Sequence, residues 1–278
     1  MGIRFKIYKK IINKTYRGGT INNKFISKIG RKIHTSIKPE YVEKYGYKIF
    51  LDPNDQLMLS VKEYPIHPIL EKIIKPGDIV LDVGANIGVL TIYFRKLVGD
   101  SGTIYSFEPD PLSFSILAKN ITENNLNNIL IENKAVSNKN GKIGFETSNS
   151  ITAGHITENN ESIKIDCCTL DTYFSEIKKI DFVKIDTEGY DWRVLEGMKN
   201  LIQLNPEMKI MVEFHSRLLN ESGITPRKFL KIINNFNFKI YDMGGLFDRL
   251  ELLEGDRLEV FGKTPNSSNL LCVHNKII

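Results

Sequence analysis

Cysteine is scarce: among 278 residues there are only Cys167, Cys168 and Cys272. Two adjacent thiols lack zinc-ligand spacing, and an odd, small number gives no disulfide framework. A reducing compartment is the simplest reading. No apolar run is long enough to span a bilayer. The start is basic, but no unbroken apolar stretch with a small-residue cleavage site follows it, so no signal peptide is expected. Position six is Lys6, not the Ser or Thr that myristoylation of Gly2 requires. Internal repeats and long linkers are absent as well. Charge is nearly balanced, with 38 basic and 33 acidic side chains and a net charge of +5. After the first 50 or so positions the lysines are scattered, so no nucleic-acid partner is expected. Hydrophobic residues make up 41% and charged residues 26%, ordinary values for a soluble domain. The expectation is a cytoplasmic protein.

What is present is organised around Val80 to Thr91, VLDVGANIGVLT. Ile79, Val80 and Leu81 read as a strand covered on both faces, closed by Asp82. Gly84 and Gly88 then allow a sharp turn and close approach of a ligand. Asn86 between them suits a helix cap. From Val89, the residues Leu90, Tyr93, Phe94, Leu97 and Val98 recur at helical spacing. Strand, glycine turn and helix are the first unit of a doubly wound sheet. The turn is not the dinucleotide fingerprint, because Asn86 stands at the middle glycine position. A carboxylate at Asp82 would repel a pyrophosphate but suits a cationic ligand such as S-adenosylmethionine. The next strand, GTIYSFEPD, brings Glu108 to its carboxyl end, where an acid accepts hydrogen bonds from two ribose hydroxyls. That placement points to an adenosine ligand without saying which one.

Residues 1–64 read as a basic extension followed by a strand-rich lead-in, and residues 65–278 as the main domain. Ile3, Phe5, Ile7, Tyr8, Ile11 and Ile12 alternate with basic residues. Such a segment suits either a solvated helix packed on the main domain or peripheral contact with an anionic membrane. YKIFLDP and QLMLSV read as strands, and Ile69 to Ile74 as a short helix. Pro109 and Pro111 open a helix after Glu108. Asn128 to Val136 reads as the third strand, with Asn133 and Ala135 at the edge where an adenine would lie. KIGFET and SIKIDCCTL suggest a β insertion, with the polar loop from Ser148 to Glu161 as a candidate lid. Phe182 to Ile185 and MKIMVEFH are the fourth and fifth strands, FKIYDM is another, and LEVFGKT with NLLCVHN is expected to form a closing hairpin.

In an open α/β sheet, ligands bind outside the carboxyl ends of the strands. Asp82, Glu108, Asp186, Glu188, Glu213 and His215 all fall on that rim. Methyl transfer to a hydroxyl requires a base or a metal. Asp186, Glu188 and His215 are the candidates for this acceptor-side chemistry. The residue pattern leaves base and metal open, and metal independence is the expectation. The turn Asp186-Thr187-Glu188-Gly189 lacks the proline and aromatic of the turn that binds amino acceptors, which favours oxygen.

VLDVGANIGVLTIYF, SFEPDP, NKAVS, and DFVKIDTEGYDWRVLEGM followed by VEFH resemble the FkbM family of S-adenosylmethionine-dependent methyltransferases. The resemblance covers about Pro76 to His215. It implies a class I, Rossmann-like fold: a doubly wound, mostly parallel seven-stranded sheet with helices on both faces. It implies O-methylation, often of sugar or polyketide hydroxyls. It carries over Asp82, Gly84, Asn86, Gly88 and Glu108 as cofactor-binding positions, and marks Asp186, Glu188, Gly189 and His215 as family-like. The competing expectations are a nicotinamide-dependent oxidoreductase and a non-catalytic module that keeps the fold.

Overall fold

The computed structural model describes residues 40–51, 68–147, 154–157, 162–177, 179–245 and 248–274. The basic segment at the start, the QLMLSV strand and most of the loop expected as a lid lie outside the described residues. The chain divides into two compact units, Met1–Tyr64 and Pro65–Ile278. No helix among the described residues is long and apolar enough to cross a membrane.

In the first unit, β1 (Tyr41–Lys44) and β2 (Tyr47–Phe50) form an antiparallel hairpin. Tyr45 and Gly46 join them with φ of 58° and 88°. Two positive φ values in a two-residue loop match the right-handed twist of the flanking strands.

The second unit opens with α1 (Ile69–Ile73) and then alternates strand and helix. β3 (Ile79–Val83), α2 (Val89–Val98), β4 (Thr103–Phe107), α3 (Pro111–Glu123) and β5 (Ile129–Glu132) come first. β6 (Ala135–Val136), β7 (Gly141–Glu146), β8 (His155–Thr157) and β9 (Ile163–Cys168) then build a separate sheet in the order β6-β9-β7-β8. α4 (Leu170–Tyr173), β10 (Phe182–Ile185), α5 (Asp191–Glu196), α6 (Lys199–Leu204) and β11 (Lys209–His215) return the chain to the main sheet. α7 (Ser216–Glu221), α8 (Pro226–Asn234), β12 (Lys239–Asp242), β13 (Glu251–Leu253), α9 (Gly255–Lys263) and β14 (Ser267–Val273) complete it.

The main sheet runs β13-β12-β14-β11-β10-β3-β4-β5. Its five strands from β11 to β5 are parallel, and β14, β12 and β13 are added antiparallel. This is the expected doubly wound sheet, with the three-residue β13 as an additional edge. Strand order reverses between β3 and β10, the place where open α/β sheets bind ligands.

Two expectations change. The run from Asn128 to Val136 is not one strand: β5 ends at Glu132, and Ala135–Val136 pairs with β9 in the second sheet. LEVFGKT is not half of a hairpin but lies in α9. Leu258 and Phe261, three apart, pack on the core, whereas Val260 is exposed, which is helical spacing.

A polar row crosses the otherwise apolar sheet. Asp82 has Ser106 and Lys184 as its register partners on the two neighbouring strands. All three are buried. Parallel register puts them on one face, where Thr91 of α2 donates from Oγ1 to Asp82 Oδ2 at 2.6 Å. A second buried polar contact fixes the loop between β3 and α2: Asn120 of α3 donates from Nδ2 to the carbonyl of Ile87 at 2.7 Å. Asn120→Ala would orphan that carbonyl in a closed site, and urea denaturation is expected to register a loss of about 1–3 kcal/mol.

Candidate functional site

A cavity, partly open to solvent, lies at the carboxyl ends of β3, β4 and β10. Val83, Gly84 and Asn86 form its floor, Glu108 to Asp110 one side, and Asp186 to Glu188 another. Lys134, Ala135 and Val136 follow β5, while Phe145, Gly154 and Ile156 enter from the second sheet.

The donor side begins with the turn after β3. The N–H groups of Gly84 and Ala85 both donate to Phe107 O at 3.0 Å, which ties the turn to β4. Gly84 has φ of 76°, and a Cβ there would lie 1.8 Å from the carbonyl oxygen of Asp186. Only glycine fits so close an approach. Asn86, at φ 53°, donates its N–H to Glu108 Oε2 at 2.6 Å. Asp110 N donates to Glu108 Oε1 at 2.8 Å. The carboxylate is thus fixed by backbone on both oxygens while it faces the cavity. Burial pushes its pKa up to about 7, against those two hydrogen bonds.

The other donor-side positions divide. Ala135 lines the cavity. Asn133 does not; its Nδ2 holds the carbonyls of Glu108 and Pro109 at 2.8 and 3.2 Å. Gly88 is the left-handed residue before α2, under Leu117, and is outside the cavity lining. Asn86 does not cap that helix as expected: its Oδ1 turns to Ile87 N at 2.7 Å, and Gly88 occupies the cap position. Asp82 is fully buried beneath the turn, bonded to Thr91 and 3.4 Å from Lys184 Nζ, and is not among the lining residues. Its carboxylate therefore reaches the cavity through its neighbours.

The acceptor side is crowded with acids. Glu188 has φ of 53° and Gly189 has φ of 91°, so the chain turns sharply after β10. Asp191 braces this turn, accepting from Thr187 N at 3.0 Å and Gly189 N at 3.2 Å. Burial, then Asp186 and Asp191, raise the Glu188 pKa to about 7. Burial and Asp186 also raise Asp191. Glu213 on β11 is raised strongly by burial and by Asp186, Asp191 and Glu188. The buried cation among them is Lys184, 3.4 Å from Asp82 and 3.5 Å from Asp186. His215 follows at the end of β11, where its Nδ1 accepts from Leu218 N at 3.5 Å and caps α7; it is not in the cavity lining.

Sequence reading missed Lys184, Asp191, Lys134 and the wall from the second sheet. The available signal for Lys184 was a lysine inside the otherwise apolar strand FVKI. The signal for Asp191 was an acid two residues after the turn glycine Gly189.

Residues 82–240, more than half of the chain, match the model of the Methyltransferase FkbM domain. The chain belongs to the FkbM methyltransferase family. The cofactor of this family is S-adenosylmethionine, and the cavity fits it: a buried carboxylate faces the space beside the glycine turn, with acids lining the opposite side. Among curated relatives, the hexuronic acid methyltransferase AglP of Haloferax volcanii is 28% identical over 160 residues, covering 56% of this chain and 62% of that protein. The 31-O-demethyl-FK506 methyltransferase FkbM of Streptomyces tacrolimicus is 45% identical over 47 residues, 17% of this chain and 18% of that protein. The FkbM-family chain thus matches less than two thirds of either relative. Aeropyrum pernix fibrillarin, solved with bound S-adenosyl-L-methionine, overlaps with 13% identity and a TM-score of 0.43, covering 72% of this chain and 68% of that one. At that level the overlap carries no functional weight.

The raised carboxyl pKa values set the sign of a stability effect. A folded state that holds protons more tightly than the unfolded chain loses that advantage as pH rises above the ordinary carboxylate value. Glu213→Gln removes one such group, so the variant should gain on the wild type between pH 5 and pH 8. Urea midpoints at the two pH values measure this, and a relative gain above about 1.4 kcal/mol, one pK unit, is expected.

Proposed function

We propose that this FkbM-family chain transfers a methyl group from S-adenosylmethionine to a hydroxyl of a sugar, glycan or similar small molecule. The observation that carries this reading is one cavity bounded by Glu108 on one side and by Asp186 and Glu188 on the other. The names of two relatives support the acceptor class, one giving a hexuronic acid and the other an O-linked methyl position.

Bound here, the cofactor would supply an electrophilic methyl on a sulfonium. Glu108 would hold the ribose hydroxyls, and Ala135 and Val136 would border the adenine. Gly84 and Asn86 shape the floor by their backbone, and Asp82 and Gly88 support that floor from behind. On the acceptor side, Asp186 or Glu188 would serve as the base that takes the proton of an acceptor hydroxyl. Glu188 titrates near neutrality, as a base working at pH 7 should. His215 steadies α7 at the rim. We propose carboxylate base catalysis without a metal, with Asp186 and Glu188 as the candidate bases. Turnover should survive EDTA, and activity that vanishes with EDTA and returns with magnesium would replace the base with a metal.

The binding test is calorimetry with S-adenosylhomocysteine. Ribose hydroxyls donate to an ionised carboxylate, so affinity should rise about tenfold from pH 6 to pH 8 as Glu108 loses its proton. Glu108→Gln should bind more weakly and flatten that rise. Titration with NADH is the control: tight NADH binding without S-adenosylhomocysteine binding would make the chain an oxidoreductase. The activity test is a methyl-transfer screen over sugars, lipopolysaccharide fragments and polyketides, read by mass spectrometry. Cofactor binding without transfer to any acceptor would favour a non-catalytic module.

A further inference from the structure

Lys184 stands where the two halves of the site meet. Its Nζ donates to the carbonyl of Gly84 at 2.6 Å and lies 3.4 Å from that of Val83. The same ammonium is 3.4 Å from Asp82 Oδ1 and 3.5 Å from Asp186 Oδ2. It is 4% exposed. Directly above it the two turns abut: Asp186 N donates to Val83 O at 3.1 Å, and Gly84 has no room for a Cβ against the Asp186 carbonyl.

A lysine required only to balance Asp82 would not need to reach Asp186 or the carbonyls of the glycine turn. This one bonds the turn that floors the donor site and pairs with the carboxylate facing the acceptor side. We infer that Lys184 is a positioning residue that locks the donor turn and Asp186 at one spacing, so that donor and proton acceptor are assembled together. The inference rests on the proposed reading of the cavity as a methyl-transfer site. Lys184 also acts on Glu108 after β4, on Glu188 of the same turn as Asp186 and on Glu213 of β11. Asp186 is the carboxylate of that turn that Lys184 pairs with directly.

The test compares the wild type with Lys184→Met, in S-adenosylhomocysteine calorimetry and in methyl-transfer kinetics, after circular dichroism has shown the variant to be folded. S-adenosylhomocysteine Kd is expected to rise about tenfold, since the turn loses a charge-assisted bond. kcat is expected to fall about 100-fold, since misplacement of reacting groups has that scale, while the KM for the acceptor stays within about threefold. A purely structural lysine would lower the urea midpoint and leave Kd and kcat as they were; that result overturns the inference and spares the site reading. A wild type that does not bind S-adenosylhomocysteine overturns the site reading and the inference with it. Should Lys184→Met not fold, Lys184→Gln takes its place. Its neutral amide can still donate toward Gly84, so the kcat loss is expected with a smaller change in Kd, and wild-type values for both overturn the inference.

Discussion

One buried ammonium under the carboxyl ends of the central strands holds the site together. Lys184 and Asp82 are register partners on adjacent parallel strands, both sealed from solvent. Taking two charges out of water costs several kcal/mol per ion, and attraction alone rarely returns it. Part of its remaining hydrogen-bonding capacity is met: Thr91 donates to Asp82 Oδ2 and Lys184 donates to the Gly84 carbonyl, while Asp82 Oδ1 has only the ammonium beside it at 3.4 Å. An apolar pair would pack as well, but it could not hold a carbonyl of the glycine turn and a carboxylate at the rim simultaneously. The charge therefore makes more sense as a device of the site than as a source of stability.

That arrangement explains the uneven character of the cavity. On the donor side, Glu108 is anchored by two backbone N–H groups. Such a carboxylate is stiff, placed by the fold and not by its own rotamers. On the acceptor side, Asp186, Glu188, Asp191 and Glu213 crowd together, and several of them retain protons well above the ordinary carboxylate range. Like charges at close quarters cannot all ionise in a buried setting. The result is that both sides change charge near neutral pH, one through Glu108 alone and the other through a cluster of acids.

Much of this was legible from the chain. Short apolar runs ending in Asp82, Glu108 and Asp186 mark strands whose tips meet, because parallel strands bury both faces and leave chemistry to their ends. What escaped the sequence has physical causes. Asp82 sits on the strand rather than past it, so its side chain follows the pleat into the α2 interface and ends on Thr91. Lys184 lies in the interior of a strand, where alternation gives its direction but not its partners. The segment of helix α9 reads as a strand because Leu-Glu-Val-Phe fits a two-residue period over four positions, and only the wider spacing of Leu258 and Phe261 shows the helix. The break after Glu132 needs tertiary knowledge: nothing local says that Ala135 and Val136 abandon one sheet for another.

This break has a consequence for selectivity. By leaving the main sheet, the chain after β5 carries Ala135 and Val136 into a small sheet whose other strands supply Phe145 and Ile156 to the cavity wall. Those side chains also belong to a compact apolar cluster with Ile143, Ile165 and Cys167. The wall is therefore built like a core, and its shape is as fixed as core packing. The inserted sheet depends on side-chain volume, so substitutions at Phe145 or Ile156 can reshape the cavity without touching the glycine turn or Lys184. That wall, more than the glycine turn, sets the shape of what the cavity admits.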